Sequence, residues 1–247
     1  MSHIVSERQG SVLVVRFARP EKKNALTLAM YTLLSDALSE AAADDTVHAA
    51  LILGTPGCFT AGNDIADFMA NPPTSTDTPV FRFLEALVSF PKPILAAVDG
   101  AAVGIGTTML LHCDHVIATP TAKFRMPFVP LGVVPEGGSS VLLAERVGQA
   151  KANEWLLLGD AFSGEAAHGA GLVNELCEVA DLEAHALARA SAYASKPTGA
   201  MRAAKELIRG PKREALRAVM RAEGEAFMAR LTSEEAMTAM MSFMMKG

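Results

Sequence analysis

Hydrophobic and polar positions change their spacing several times along the chain, and each spacing predicts a different element. Residues 4–19 alternate between apolar and polar side chains and are interrupted at Gln9 and Gly10, which predicts a β-hairpin. Thr27 stands directly before apolar residues that recur every three or four positions, so a helix is expected to begin there. The pattern thus predicts two antiparallel strands followed by a helix.

The middle of the chain contains short runs that are apolar almost throughout. Residues 49–53 and 93–98 are two of these, and each is followed by a glycine or an aspartate. Such runs are typical of buried parallel strands that lead into functional loops. Residues 115–119 predict a further strand. Residues 71–79 are rich in proline and polar residues, and we expect that segment to be mobile.

Helical spacing dominates the last part of the chain. Residues 141–147 and 151–158 predict two helices, and from Asp181 onward nearly every position fits a helix. Pro197 and the pair Gly210-Pro211 are expected to divide this region into several helices, because proline interrupts the helical hydrogen bonds. The chain therefore ends in a helical region.

The final predicted helix has one face formed by methionines. These side chains recur at helical spacing beside Phe243: Met237, Met240, Met241, Met244 and Met245. A flexible methionine face can bind varied partners. Packing on the same domain or on a neighbouring subunit is the interpretation that we favour.

Composition limits the classes of function. The chain has 247 residues, half of them hydrophobic, which is enough for one large domain or for a domain with an appendage. Lys and Arg number 22 against 27 Asp and Glu, for a net charge of −5. No general basic surface is available to bind nucleic acid through its phosphates. Nucleic acid is therefore not an expected partner.

The cysteines and the apolar segments indicate where the protein works. Cys58, Cys113 and Cys177 are odd in number and widely spaced, which suits free thiols in a reducing compartment. The N-terminus has no apolar run typical of a signal peptide, and no segment is long and uncharged enough to span a bilayer. We expect a soluble cytoplasmic protein without a membrane partner.

Glu136 is the first candidate for chemistry. It lies in the sequence PEGGSS, residues 135–140, as a lone carboxylate among apolar and small residues. Poor solvation raises the pKa of a carboxylate toward the value that a proton-transferring base needs at neutral pH. The alternative is that a Glu next to proline, at the start of a helix, only complements the positive helix end.

Two small-residue loops could bind an anionic group through their backbone amides. Residues 59–65 and 99–108 each follow a predicted parallel strand, so both could converge on one oxygen and stabilise an oxyanion. Either loop could instead be a simple tight turn. The second loop has the spacing G-x-x-x-G-x-G, which is not a dinucleotide fingerprint. The chain contains neither a Gly-Lys-Ser/Thr phosphate loop nor a Gly-x-Ser-x-Gly nucleophile turn.

Two further groups of polar residues have compositions that resemble sites. Residues 112–115 are His-Cys-Asp-His, but their side chains should point apart and no second ligand cluster supports them, so no metal is expected. Asp64 and Asp67 are better placed to cap a short helix than to act as a paired acid and base.

Several ordered blocks resemble the crotonase superfamily, also called the enoyl-CoA hydratase/isomerase family. They cover essentially the whole chain: RPEKKNAL at 19–26, FTAGND at 59–64, the segments 92–114 and 124–140, GDAFSGEA at 159–166 and GLV at 171–173. The resemblance implies an α/β fold, namely a crotonase (ClpP-like) spiral of ββα units over residues 1–195. A C-terminal helical trimerisation region would follow at residues 196–247, giving a homotrimer or a dimer of trimers.

The resemblance also implies a ligand and a way of binding it. The substrate would be an acyl-CoA thioester, so coenzyme A is part of the substrate and no separate cofactor is expected. The backbone N–H groups of Asn63 and Ile105 would form the oxyanion hole. Ile105 departs from the glycine common at its position, but only its amide is used.

The carboxylates decide which reaction the resemblance implies. A hydratase of this family uses two glutamates, and their positions are occupied here by Thr108 and Phe128. The segment LGVVPEG, residues 131–137, is instead similar to that of the isomerases that move a β,γ double bond of enoyl-CoA into α,β conjugation. In those enzymes the glutamate matching Glu136 is the single catalytic acid/base. We therefore expect an enoyl-CoA isomerase of fatty acid degradation.

Two alternatives stay open at this point. One is another crotonase-type reaction, such as enoyl-CoA hydration, dienoyl-CoA isomerisation, thioester hydrolysis or dehalogenation. The other is a non-catalytic acyl-CoA binding protein. The sequence leaves open the acyl chain length, the cis or trans preference and the pathway served.

Further binding residues follow from the resemblance alone. Phe128, with Val133 and Val134, would keep water from the reacting carbons. The residues expected at coenzyme A are Lys22, Lys23, Ala25, Ala61 and Ile65, with Phe243 and Lys246 reaching the nucleotide of a neighbouring subunit.

Overall fold

The structure is a computed structural model that describes residues 3–73, 75 and 77–246, with side chains as far as residue 242. Strands β1 (Ile4–Gln9) and β2 (Val12–Phe17) pair antiparallel, which confirms the predicted hairpin. Helix α1 (Leu28–Ala43) begins where predicted, because Thr27 Oγ1 accepts a hydrogen bond from the Met30 amide at 3.3 Å.

The remaining strands and helices follow in chain order. The strands are β3 (Ala49–Leu53), β4 (Cys58–Thr60), β5 (Ile94–Val98), β6 (Ala101–Val103), β7 (His115–Ala118), β8 (Lys123–Arg125), β9 (Phe162–Ser163) and β10 (Glu175–Leu176). The helices are α2 (Ile65–Ala70), α3 (Pro79–Ser89), α4 (Ile105–Thr108), α5 (Ser139–Val147), α6 (Gln149–Asn153), α7 (Gly164–Gly169), α8 (Leu182–Ala194), α9 (Thr198–Leu231) and α10 (Glu234–Lys246). Short 3-10 turns cover Pro20–Lys22, Met109–His112 and Val129–Leu131, and a π-helical turn covers Glu154–Leu158.

The described strands form two sheets, and each repeating unit contributes one strand to each of them. One sheet has the order β1-β2-β3-β5-β7-β10 and the other has the order β4-β6-β8-β9. Three consecutive strand pairs, β3 with β4, β5 with β6 and β7 with β8, place their first strand in the large sheet and their second in the small one. The neighbours β2, β3, β5 and β7 are parallel. This stacking of ββα units confirms the spiral that the resemblance implied.

The central strands β3, β5 and β7 of the large sheet are buried on both faces, as parallel strands usually are. Ile52 and Ala96 belong to the hydrophobic cluster that contains the apolar side of α1 and α3. Their chain neighbours Leu51 and Leu95 point the other way and pack with Ala186 and its neighbours on α8. Because both faces are covered, the strands hold the loops at their carboxyl ends in fixed positions.

The C-terminal region differs from the prediction at one proline. Pro197 does precede a new helix, but α9 continues through Gly210 and Pro211 for 34 residues, so the predicted division there is wrong. Arg213 binds both carboxylate oxygens of Glu206, at 3.1 and 2.7 Å, and this pair spans the proline. The carbonyl that loses its helical partner belongs to Leu207, which is 79% exposed, so water can hydrogen-bond to it.

The segment before α3 leads directly into that helix. Pro79 is its first residue, and Thr78 accepts the amide of Phe81 at 3.5 Å. Proline fits this position because its missing N–H would have no helical partner there. The mobility of residues 71–79 stays a prediction, and residues 74 and 76 lie outside the described part of the chain.

The methionine face of α10 is only partly covered within the chain. Met240 is buried in the main core beside Ala236, whereas Met237 and Met241 are each 46% exposed. Met244 and Met245 lie outside the described side chains. No described helix combines the length and the apolar character that crossing a membrane requires.

Candidate active site

Glu136 lies on the loop between the 3-10 turn Val129–Leu131 and α5, and its side chain is partly buried. Its Oε1 accepts a hydrogen bond from Thr108 Oγ1 at 2.6 Å. Burial raises the pKa of Glu136 to about 7, although the Thr108 hydrogen bond lowers it, and the carboxylate of Glu223 raises it further. The direction agrees with the sequence-based expectation. A carboxyl group of this kind can both take and return a proton near neutral pH.

The loop that carries Glu136, residues 135–140, is fixed by its backbone conformation. Gly137 and Gly138 have φ of 69° and 78°, a region that side chains with a Cβ rarely adopt. A Cβ at Gly138 would also lie 2.6 Å from Leu216 Cδ1 on α9. The two glycines of PEGGSS are therefore required for Glu136 to stand between α4 and α9.

Two buried side chains from distant elements bind the peptide groups that follow Glu136. His112 Nε2 lies 2.7 Å from the carbonyl of Gly137. Burial lowers the pKa of His112 to about 4, so the ring is neutral and its Nε2–H donates to this carbonyl. On the other side, the Gly138 amide donates to Glu223 Oε2 at 2.6 Å.

The two candidate oxyanion loops lie against each other. Strands β4 and β6 are parallel neighbours, so the loops after them leave the same sheet edge. The approach is so close that a Cβ at Gly62 would be 2.7 Å from the carbonyl oxygen of Val103. No hydrogen bond links the backbone amide of Asn63 or of Ile105 to another described residue. Both amides are therefore free to bind a substrate oxygen.

The three predicted catalytic groups come together. Ile105 begins α4 and Thr108, which binds Glu136, ends it. Asn63 and Glu136 line the same cleft. The Tyr31 hydroxyl donates to the side-chain oxygen of Asn63. Burial and the nearby Glu136 carboxylate raise the pKa of Tyr31, so this hydroxyl remains a donor.

The cleft that opens from Glu136 is about 440 Å³, counting the part open to solvent. Glu136 is the only ionisable side chain among its described lining residues. Its other walls come from α2 and the segment after it, α3, α9, the loop of residues 59–65 and the Glu136 loop: Asn63, Phe68, Pro73, Val80, Phe81, Leu84, Gly137, Met220, Gly224, Phe227 and Met228. Such a site accepts an apolar group at one end and reacting polar atoms at the other.

The residues predicted for coenzyme A lie elsewhere. Lys22 and Lys23 are exposed, and the Lys23 carbonyl accepts the Ala61 amide at 2.9 Å, so these segments are adjacent. Ala25, Ala61 and Ile65 are partly buried. None of the five lines the apolar cleft in the described part of the chain. Their role stays a prediction.

The other predicted binding residues have different placements. Phe128 and Val133 are buried in the main core, at 6% and 4% exposure, and do not line the described cleft. Val134 is partly buried. The side chains of Phe243 and Lys246 lie outside the described residues.

The polar groups judged structural from the sequence have structural partners. Asp64 caps α2 by accepting the Asp67 amide at 3.1 Å, and Asp67 accepts the Leu28 amide at 2.8 Å, which confirms the capping prediction. His115 Nε2 lies 3.1 Å from Glu175 Oε1, whereas His112 binds the Gly137 carbonyl. The described residues contain no group of three potential metal ligands.

The sequence prediction missed several residues of the site, above all Glu223 and Tyr31. Glu223 did carry a signal, because it interrupts a stripe of α9 on which Met220 and Phe227 recur at helical spacing. A carboxylate on the apolar side of a helix needs donors, and those donors are here the Glu136 loop. Tyr31 occupies an ordinary apolar position of α1 and gave no signal of its contact with Asn63.

The chain is similar to a known family and to proteins whose names describe an activity. The family model described as "Enoyl-CoA hydratase/isomerase" matches residues 7–247. The chain is 37% identical over 246 residues to "Enoyl-CoA delta isomerase 2" of Rattus norvegicus, covering 97% of this chain and 63% of that protein. It is 32% identical over 247 residues to "2,3-dehydroadipyl-CoA hydratase" of Escherichia coli (strain K12), covering 100% and 97% respectively.

A solved structure is similar over nearly its full length. The structure of Pseudomonas aeruginosa OdaA superposes with a TM-score of 0.96 at 48% identity, covering 99% of both chains. Relatives named as isomerases and as hydratases thus both resemble this chain, which spans less than two thirds of the rat isomerase.

Proposed function

This chain belongs to the enoyl-CoA hydratase/isomerase family, and we propose that it moves the double bond of a β,γ-enoyl-CoA into α,β conjugation. Glu136 would be the single acid/base, since it is the only ionisable side chain among the described residues that line the cleft. The observation that carries the proposal is the Thr108–Glu136 hydrogen bond of 2.6 Å. The hydroxyl of Thr108 does not act as an acid at neutral pH, and Thr108 occupies one of the two positions at which a hydratase of this family is expected to have a glutamate. The described lining of the cleft therefore has one carboxylate, whose pKa is raised to about 7.

The proposed reaction needs one proton carrier. The Glu136 carboxylate takes a proton from the carbon next to the thioester carbonyl, and the electron pair of that C–H bond delocalises into a dienolate. The resulting carboxylic acid returns the proton to the γ carbon, which leaves the double bond in conjugation. The electron pair of the broken C–H bond ends in the new α,β double bond, the pair of the former β,γ double bond forms the new C–H bond at the γ carbon, and Glu136 is again a carboxylate.

The dienolate carries its charge largely on the thioester oxygen. The free amides of Asn63 and Ile105 would bind that oxygen, and each such donor contributes roughly 3 kcal/mol when the charge develops in the transition state. Tyr31 supports the first donor indirectly, since its hydroxyl holds the Asn63 side chain. The apolar cleft keeps water away from the carbanionic carbons.

Hydration is the runner-up, because one relative over the full chain is named as a hydratase. Addition of water needs one group to activate water and another to protonate carbon. The Thr108 hydroxyl already donates a hydrogen bond to Glu136, and the buried Phe128 has no acidic proton. Both considerations favour isomerisation.

The substrate contacts are carried forward as part of the proposal. Lys22, Lys23, Ala25, Ala61 and Ile65 would contact coenzyme A. Phe243 and Lys246 would do so from a neighbouring subunit of a trimer. Exposed Met237 and Met241 on α10 support such a subunit contact, because apolar side chains favour coverage.

A two-substrate assay tests the proposal. A β,γ-enoyl-CoA is supplied to the wild-type protein and the conjugated thioester is followed by its absorbance, while the α,β isomer is tested in parallel for hydration. We expect conjugation without appreciable water addition. Rapid hydration of the α,β isomer, with no conjugation of the β,γ isomer, would replace the isomerase by a hydratase.

A further inference from the structure

Glu223 is a buried carboxylate that none of the proposed chemical steps uses. It lies on α9, is 8% exposed and accepts three hydrogen bonds from one segment. The amides of Gly138 and Ser140 donate to it at 2.6 and 3.0 Å, and the Ser140 hydroxyl donates at 2.5 Å. No Lys, Arg or His side chain pairs with it among the described residues. All of its described partners are thus in the loop that carries Glu136 or at the start of the helix after it.

A buried carboxylate without a cation is a costly way to stabilise a fold. Burial raises the pKa of Glu223, although its three donors favour the charged form. An apolar residue would be expected at this position of α9, where Met220 and Phe227 occupy the same face. The position of the charge therefore points to a role in the loop that it binds.

The peptide groups bound by Glu223 adjoin the proposed base. Gly138 follows Glu136 by two residues, and the intervening Gly137 carbonyl is held by His112 from the opposite side. With an amide and a carbonyl fixed in succession, the glycine-rich loop loses the freedom that its composition would otherwise give it. The direction of the Glu136 side chain is set by these two anchors and by Thr108.

We propose that Glu223 is a positioning residue, which through its charged carboxylate holds residues 138–140 against α9 so that Glu136 faces the apolar cleft. This role deepens the proposed function and rests on it for its kinetic consequence. The residues that flank Glu223 on α9 include Met220, Gly224 and Phe227, which line the same cleft. One rigid helix thus forms both the wall against the substrate and the anchor of the base.

The charge of Glu223 has an electrostatic effect on its neighbour. It raises the pKa of Glu136, as a like charge close by does. The other groups facing this pair are the Ser140 hydroxyl from α5, the Thr108 hydroxyl from α4, the phenol of Tyr31 from α1 and the neutral His112 ring. These four groups are neutral at neutral pH. Both oxygens of Glu223 accept hydrogen bonds, as those of an ionised carboxylate do, so Glu223 supplies the negative charge that acts on Glu136.

Two substitutions at one position separate the anchor from the charge. Glu223→Gln keeps the size and one acceptor oxygen but removes the charge, so the acid limb of the kcat/KM profile should move to lower pH. Glu223→Leu removes all three acceptor contacts, so hydrogen exchange at the Gly138 and Ser140 amides should accelerate about tenfold or more. Its kcat should fall on the order of 10²-fold through misplacement of the base, with little change in KM.

Glu225→Gln is the matched control, because Glu225 is an exposed carboxylate on the same helix. It should leave exchange, the pH profile and kcat as in the wild type. If Glu223→Leu does not fold, exchange is measured on Glu223→Gln, where the loss of charge still weakens the hydrogen bonds donated by the Gly138 and Ser140 amides. Unchanged protection of Gly138 and Ser140, or an unmoved acid limb in Glu223→Gln, overturns the proposal.

The exchange measurement does not depend on isomerase activity. Suppose that the wild-type protein fails to isomerise a β,γ-enoyl-CoA, but the Gly138 and Ser140 amides exchange faster in the Glu223 variants than in the wild type. The proposed function is then wrong and the anchoring role stands. If wild-type protein isomerises and protection is unchanged, the anchoring role is wrong and the proposed function stands.

Discussion

At the scale of single residues, burial and one hydroxyl have opposite effects on the pKa of Glu136. Burial and the Glu223 charge raise its pKa, and the Thr108 hydrogen bond lowers it, with a net value of about 7. A base at this value is half ionised at neutral pH and its conjugate acid is still strong enough to return the proton. The poorly solvated Glu136 carboxylate destabilises the folded state when it is ionised.

Because the ionised Glu136 carboxylate destabilises the folded protein, we expect Glu136→Gln to change its stability. Because the folded pKa lies above the ordinary value of 4.5, the folded state is favoured below pH 4.5 and loses stability as pH rises through about 7. A rise of this size corresponds to roughly 3 kcal/mol. Glutamine does not ionise and can still accept from Thr108, so Glu136→Gln should be more stable than wild type at pH 8.

Thermal or denaturant unfolding at pH 8 and pH 5 measures this difference. The gain from Glu136→Gln should shrink toward zero as the pH falls from 8 to 5, whereas exposed Glu145→Gln should show no such trend. An equal effect of Glu136→Gln at both pH values would mean that Glu136 is not a desolvated carboxylate.

The sequence allowed part of this site to be predicted, and the reasons differ by residue. The raised basicity of Glu136 follows from its apolar chain neighbours, which are local. The contacts of Thr108 and Glu223 with the Glu136 loop join residues 28 and 85 positions apart, and such contacts leave no local pattern. Tyr31 is a helix residue whose hydroxyl binds Asn63, and this contact depends on the folded position of the loop of residues 59–65.

At the scale of elements, α4 and α9 organise the site. The short helix α4 carries the Ile105 amide at one end and Thr108 at the other. Helix α9 was predicted to break at Pro211 and does not. The Glu206–Arg213 pair spans the proline, and the carbonyl that has no helical partner belongs to the exposed Leu207. Its continuity places residues 216–228 as one wall along α3 and the Glu136 loop.

Gly224 should determine how much acyl chain the cleft admits. A Cβ there would lie 2.3 Å from Phe81 Cζ on α3, so a larger side chain must displace that ring or enter the cleft. We expect Gly224→Leu to raise KM for long-chain substrates by roughly 10- to 100-fold relative to short-chain ones. Ala226→Leu, on an exposed position of α9, is the matched control and should leave the preference unchanged.

The measurement is kcat/KM over a series of β,γ-enoyl-CoA substrates of increasing chain length. The same preference in Gly224→Leu and wild type would show that the acyl chain does not pass between α3 and α9. Folding of each variant is checked by its unfolding temperature.

At the scale of the whole molecule, hydrophobic patterning predicted the large sheet and the resemblance predicted the spiral. The runs at β3, β5 and β7 are buried on both faces and therefore apolar throughout, which makes them visible in the sequence. The strands of the small sheet are two or three residues long, too short for any periodicity. Trimerisation through the C-terminal region stays a prediction.

The helical C-terminal region belongs to the site as well as to the predicted subunit contact. Its α9 supplies Met220, Gly224, Phe227 and Met228 to the cleft and Glu223 to the base loop. A boundary at residue 195 therefore describes the succession of elements along the chain, whereas residues from both parts line the cleft.

Turnover of Glu136→Gln on a β,γ-enoyl-CoA tests the single-carboxylate mechanism most directly. The dissociation constant of a saturated acyl-CoA is measured on the same protein to separate binding from chemistry. The mechanism predicts that kcat falls by on the order of 10³-fold, because Glu136 is the only ionisable side chain among the described residues that line the cleft, while the dissociation constant changes by no more than a few-fold. A Glu136→Gln variant that isomerises at a rate close to that of the wild type would contradict it.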